Sequence, residues 1–323
     1  MKPHGLGPRR LCGLVATLCV AQLYLMDLNG HENRFMCLPA YVSSWHYPAQ
    51  NETGLVPDLA IVYLADFRDP GRVDMLERSL ALLEENFLGR FPYPVILFHE
   101  KMGKTLDNTK ARLRQQVPSH RLHFREVIGF TEIPAYLNAS EVLAGTRYSL
   151  GYRFMCRFWA HGVFQQPAMK KLTYYWRLDT DLFLMKPVTL DPFLYMAQHR
   201  LDYFFGATSS ETPSVVVGLW GAVLRYMKLH DLDNQRLRDY MSIYGGYNML
   251  IFWNNFEVSR TDLWRSEAYR SYFEYLDRTG GVMLRRWGDA PIRTLALAAL
   301  FPQARLEQWH GLCYFHGSVK WTL

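Results

Sequence analysis

Short apolar runs of β type alternate with segments of helical period, and this alternation restricts the possible folds more than any other feature of the chain. The run "DLAIVYLA" (Asp58 to Ala65) is followed by the loop "DFRDPGR" and then by Met75, Leu76, Leu80, Leu83 and Phe87 at helical spacing. "YPVILFHE" is a second strand candidate, and a polar helix near Leu106 to Gln115 leads to a third strand near Arg121 to Val127. Strands and helices in strict succession imply an α/β fold with a mostly parallel sheet. No internal repeat interrupts the pattern, so residues 58–323 are expected to form one catalytic-size domain. With 49% apolar residues in 323, there is ample material for its core.

The N-terminal region has a different character. Arg9 and Arg10 precede "LCGLVATLCVAQLYLM" (Leu11 to Met26), sixteen residues without a charge. That length is short for a membrane span and also fits a signal-peptide core or a buried helix. Thin bilayers of the early secretory pathway accept a short span. "AQL" is a poor cleavage site, so the expectation is an uncleaved anchor at 11–26 with a cytoplasmic tail at 1–10 and a polar stem at 27–57. Two sequons, at Asn51 and Asn138, agree with a luminal domain. Outside the apolar run stand Cys37, Cys156 and Cys313, enough for one disulfide and one odd thiol, and no zinc spacing is present. The net charge of +6 is scattered rather than gathered into a run, which argues against a nucleic-acid surface.

The chemistry concentrates at a few carboxylates. "LTYYWRL" is a strand by composition, and Asp179-Thr180-Asp181 falls where it ends. In open α/β sheets ligands gather at the carboxyl ends of strands. Two carboxylates one residue apart on such a turn suit a divalent cation that bridges to substrate phosphates. On the helix "YSLGYRFMCRFWAHGVFQQP", Arg153, Arg157 and His161 form a basic stripe that is either a solvated face or a diphosphate contact. Arg68, in the loop after the first strand, is expected near a base and ribose. Glu257 interrupts an aromatic run and is therefore either hydrogen-bonded by Asn254 or Asn255 or kept for chemistry. Asp289 precedes Pro291 at a helix start, where its plain role is an N-cap. His316 follows an aromatic stretch and is either a core group or a metal ligand.

"YRFMCRF", "YYWRLDTD", "YNMLIFWNNFE", "WRSEAYRSYFEYLDRTGG", "RWGDAPI" and "GLCYFHG" together resemble, in order and spacing, the fungal Golgi α-1,2-mannosyltransferases of glycosyltransferase family 15, from about Leu59 to His316. The resemblance implies a single GT-A domain, Rossmann-like with a mixed, mostly parallel sheet, in a type II Golgi membrane protein. It also implies GDP-mannose as donor, manganese as cofactor, a mannose-containing glycan as acceptor, and retention of configuration. The family's Glu-Pro-Asp triplet corresponds to Asp179-Thr180-Asp181 and its late histidine to His316. Its proposed catalytic glutamate corresponds to Glu257, and a tyrosine near the reacting sugar to Tyr152.

Asp179 and Thr180 replace the glutamate and proline of that triplet, which shortens one carboxylate arm and loosens the turn. On this reading Asp179, Asp181 and His316 hold the metal, and Arg68, Arg153 and Arg157 contact the nucleotide. Glu257 is the nucleophile or ion-pair stabiliser, Tyr152 its partner, and Asp289 a group that orients an acceptor hydroxyl. The alternatives are a transferase for another nucleotide sugar and a sugar-binding Golgi protein without activity.

Overall fold

The structure, a computed structural model, describes residues 58–101, 106–233 and 235–317, together with the backbone of two short strands, β1 (Tyr24–Met26) and β2 (Glu32–Cys37). The expected tail, and all of the expected anchor except its last three residues, lie outside the described residues. Among the described residues no helix is long and apolar enough to cross a membrane. Within the segment expected as stem, the six residues of β2 pair with β13 (Cys313–His316), a strand from the far end of the chain, and the rest of that segment lies outside the described residues.

Strands β3 (Leu59–Ala65), β4 (Val95–His99) and β5 (Leu122–Glu126) come from the alternating N-terminal half, as its pattern requires. They are followed by β6 (Tyr174–Leu178), β7 (Leu182–Leu184), β8 (Tyr203–Ser210), the hairpin β9 (Ser242–Ile243) and β10 (Gly246–Tyr247), then β11 (Leu250–Arg260), β12 (Leu306–Gln308) and β13 (Cys313–His316). Seven of these form one mixed sheet in the order β12-β8-β11-β6-β3-β4-β5. β6, β3, β4 and β5 run parallel, and β11 runs antiparallel to both β6 and β8. The carboxyl ends of the four parallel strands and the amino-terminal half of β11 therefore share one edge. A smaller antiparallel sheet, β1-β2-β13-β7, crosses that edge.

Both faces of the large sheet are covered, and period two in β6 sorts its residues between them. Tyr175 packs under the helices Leu219–Leu229, Glu267–Arg278 and Asp289–Leu300. Trp176 and Leu178 face the helices Pro70–Leu83 and Pro192–His199. Arg177 lies on the first face, where an apolar residue would be expected.

Cys156 is a free, buried thiol, and Cys313 is disulfide-bonded and stands opposite Cys37 in the β2–β13 register. One bonded cysteine and one odd thiol match the cysteine count. Asn138 is exposed and caps the short helix Ala139–Ala144, its side chain accepting from the Ser140 and Glu141 amides.

The basic stripe of the Leu150–Arg157 helix and the π-helical turn that follows it is neither solvated nor aimed at a diphosphate. Arg153 is buried and donates to the carbonyls of Val142 and Met283. Arg157 forms a two-pronged pair with Asp277 and lies 4.7 Å from the Phe130 ring centroid. His161 is stacked on Phe273 at 4.9 Å. These side chains tie the helix to its neighbours, and the charges that looked available are spent on packing.

Burial, opposed only partly by Asp277, lowers the His161 pKa to about 4. Its unfolded-state pKa is near 6.5, so the buried neutral ring favours the native state fully above that value and progressively less as the pH falls through it. The loss reaches about 3 kcal/mol near pH 4. Urea unfolding at pH 7 and pH 4.5 is expected to show His161→Phe losing markedly less stability on acidification than the wild type. Equal losses in the two proteins would refute the assignment.

Candidate active site

Four strand ends converge at the shared edge. β6 stops at Leu178 because the next residues turn: the Asp179 amide donates to the Asn255 carbonyl of β11 at 3.1 Å, and the Leu182 amide closes back on the Asp179 carbonyl at 3.1 Å. β13 runs alongside β7, and the Gly317 amide donates to the Asp181 carbonyl at 3.1 Å. His316, the last residue of β13 rather than part of a loop, is thereby brought against the aspartate turn. Its Nε2 lies 3.3 Å from Asp181 Oδ1 and 3.8 Å from Asp179 Oδ2. Trp253 of β11 meets its ring edge-on at 5.4 Å.

One donor atom from each of Asp179, Asp181 and His316 falls within 4.8 Å of the others. Two carboxylate oxygens and an imidazole nitrogen are a donor set that suits manganese and its neighbours in the first row. Their electrostatics agree with this fit. Burial disfavours the charged imidazole, yet Asp181 and Asp179 outweigh it and raise the His316 pKa to about 9. The same site thus draws positive charge strongly.

Behind this rim stands Arg177, 3% exposed, which sequence reasoning left unassigned. Its Nε donates to Asp179 Oδ1 at 3.0 Å, one of its terminal nitrogens donates to Asp289 Oδ2, and the guanidinium lies 4.2 Å from the Trp159 ring centroid. A charged residue inside "YYWRL" was a legible signal, since an ionic group in a buried strand requires a partner.

Asp289 is not a helix N-cap. Gly288 takes that position without a side-chain bond, while the Asp289 carboxylate accepts from Arg177 and, at 2.7 Å, from Asn254 Nδ2. The preceding segment is shaped by Gly281, where a Cβ would come within 2.1 Å of the Trp287 ring, so only glycine lets that indole fold over the helix start. Arg286 next to it holds a left-handed φ of 65°, an uncommon conformation for a side chain of this size. Its guanidinium lies 5.0 Å from the ring centroids of both Tyr148 and Tyr152, donates to the Tyr152 hydroxyl, and pairs with Glu211 at 3.4 Å. Burial, with help from nearby Cys156 and Asp289, pushes the Tyr152 pKa well up, so its phenol stays protonated.

Glu257 is placed differently from its expected role. It is fully buried: Oε1 accepts from Tyr175 at 2.5 Å and from Arg293, and Oε2 accepts from Tyr203 at 2.7 Å. Neither asparagine beside it is among these partners. A carboxylate with both oxygens engaged and no exposed surface has no path to a sugar, so the nucleophile reading is corrected to that of a buried ion pair. Arg68 does reach the shared edge, at the end of β3, but is pinned by Asp66 at 2.9 Å and Glu100 at 2.8 Å. Arg153 and Arg157 are not brought there, being committed to the helix contacts described above.

A family profile described as "Glycolipid 2-alpha-mannosyltransferase" matches residues 42–320. The chain is 35% identical over 258 residues to glycolipid 2-alpha-mannosyltransferase 1 of Candida albicans, covering 75% of this chain and 59% of that one. It is 29% identical over 255 residues to alpha-1,2 mannosyltransferase KTR1 of Saccharomyces cerevisiae, covering 75% and 64% respectively. The matched region thus spans about six-tenths of the length of these relatives. Among solved structures, core-mannan synthase A of Aspergillus fumigatus in its Mn/GDP form superposes with a TM-score of 0.73 at 24% identity, over 84% of this chain and 78% of that one. The S. cerevisiae mannosyltransferase Ktr4p in complex with GDP gives 0.75 at 21% identity, over 98% and 82%. These two show the fold, which is GT-A. The profile match over most of the chain shows that the chain belongs to the glycolipid 2-alpha-mannosyltransferase family, glycosyltransferase family 15.

Proposed function

We propose that this chain is a retaining α-1,2-mannosyltransferase that moves mannose from GDP-mannose to a mannose-containing glycan, with manganese in the site and the domain in the Golgi lumen behind an N-terminal anchor. The observation that carries the reading is the convergence of Asp179, Asp181 and His316 at the carboxyl edge of the parallel strands, with all three donor atoms within 4.8 Å. These residues would hold the metal, which when bound supplies stabilisation of the negative charge that grows on a departing diphosphate. The Mn/GDP form of the A. fumigatus enzyme and the GDP complex of the S. cerevisiae enzyme support the same donor class.

The chain's own groups do the remainder. Arg68, at the end of β3, meets the nucleoside side of the donor. Tyr152 accepts from Arg286, so its own proton is left to donate to a sugar or phosphate oxygen. Arg177 and Asn254 both bond Asp289 Oδ2, which orients that carboxylate to align an acceptor hydroxyl. With Glu257 closed off, retention follows more simply from attack on the face the diphosphate leaves than from a glycosyl-enzyme.

A donor screen tests this. The full chain is incubated with manganese, α-methyl-mannoside and a panel of nucleotide sugars. Transfer from GDP-mannose alone, lost on chelation, is the expected result. Transfer from another nucleotide sugar would overturn the donor, and tight GDP-mannose binding without transfer to any mannoside or glycan would favour a sugar-binding role.

A further inference from the structure

Arg177 sits where the metal-binding turn meets the deeper carboxylates, and its geometry limits what Asp179 can offer. The Asp179 backbone is fixed on both sides, through the Asn255 carbonyl and the Leu182 amide. Its Oδ1 is taken by Arg177 Nε at 3.0 Å, so only Oδ2, which faces His316, is turned toward the cation position. The guanidinium cannot swing away cheaply, because its other prong is held by Asp289 and its face by Trp159. It also stands directly across the β6–β11 pair from buried Glu257. A charge-assisted hydrogen bond of this kind competes directly with a cation for the same oxygen, and the fixed positive charge repels a second one.

Resting on the metal- and nucleotide-dependent reading above, we infer that Arg177 is a positioning residue that withholds one oxygen of Asp179 and so makes the site a poor binder of free divalent cation but a good binder of cation together with nucleoside diphosphate. The diphosphate supplies the negative charge and the oxygens that the protein holds back.

The test titrates Mn2+ into the full-length protein, with and without GDP, and follows free Mn2+ by electron paramagnetic resonance. Arg177→Met is expected to tighten binding of Mn2+ alone by at least about fivefold, and to shrink the factor by which GDP improves it. Arg177→Lys keeps a cation beside Asp289 but gives up the second prong. It is the variant that decides the matter if the methionine protein does not fold, and is expected to tighten free Mn2+ by about threefold. A purely structural role would lower the melting temperature and leave both Mn2+ affinities, and their ratio, unchanged, and that result in a folded variant overturns the inference. Failure of the donor reading looks different: GDP would then give no improvement in the wild type, while the effect of the variants on free Mn2+ would stand.

Discussion

Asp181→Ala is expected to reduce mannosyl transfer by a factor of about 10³ or more, the usual scale for losing a group that stabilises developing charge, while leaving the protein folded. Three features of the site make this the most sensitive position. Asp181 Oδ1 is the carboxylate oxygen nearest His316, at 3.3 Å, and its backbone carbonyl receives the Gly317 amide that closes β13 onto the turn. The backbone contact survives the substitution, so the turn keeps its shape and only the charge is removed. Among the described residues no guanidinium is hydrogen-bonded to Asp181, whereas Asp179 Oδ1 accepts from Arg177. The check is a transfer assay at saturating GDP-mannose across a range of Mn2+ concentrations, with circular dichroism as the folding control. A folded Asp181→Ala protein with activity within tenfold of the wild type would remove the aspartate turn from the mechanism. Recovery at millimolar Mn2+ would instead show weakened metal binding alone.

Glu257→Gln should act through stability, and here the structure departs most from what the family pattern suggests. The substitution keeps the shape of the side chain but removes the negative charge that compensates Arg293, a guanidinium that is 1% exposed and lies 4.0 Å from the Trp264 ring centroid. Breaking a buried pair by neutralising one partner costs about 3–5 kcal/mol, because the other charge is left in a medium that solvates it poorly. The Tyr175 and Tyr203 hydroxyls also lose an ionic acceptor. Urea unfolding is expected to show that loss, and the fraction that remains folded at low temperature is expected to retain measurable transfer. A nucleophile would give the opposite pattern, with wild-type stability and no activity. If that pattern is found, the buried-pair assignment fails and Glu257 must gain access to donor through a rearrangement of β11.

How far the site was legible follows from the kind of signal each residue gives. Asp179, Asp181 and the strand ahead of them could be read directly, because a carboxylate pair at the end of an apolar run is a local pattern with a local cause. The disposition of Arg153, Arg157 and His161 could not. Helical spacing puts them on one stripe, but only the packing of the Ala139–Ala144, Glu267–Arg278 and Gly281–Arg285 helices around it shows that carbonyls, Asp277 and Phe273 meet that stripe instead of solvent or phosphate. Arg286 was hidden for a related reason. Its left-handed backbone closes the short Gly281–Arg285 helix, and Trp287 folds back over Gly281 beside it, a packing arrangement that the residue pattern alone does not announce.

The sequence by itself determined the class of the fold, the position of the aspartate turn, and that one cysteine outside the apolar run is left over, though not which one. Each rests on period, composition or count, which act over a few residues or over the whole chain without regard to geometry. Tertiary structure alone decided the partners of the charges. Glu257 and Arg177 stand opposite each other across a strand pair, yet one is closed into a core ion pair with Arg293 and the other is turned toward the site by Asp179 and Asp289. The reason is physical: an ionised side chain in a low-dielectric interior must find its countercharge within hydrogen-bond distance, and Glu257 finds its own 36 residues away, while Arg177 has one local partner in Asp179 and a second, Asp289, 112 residues away.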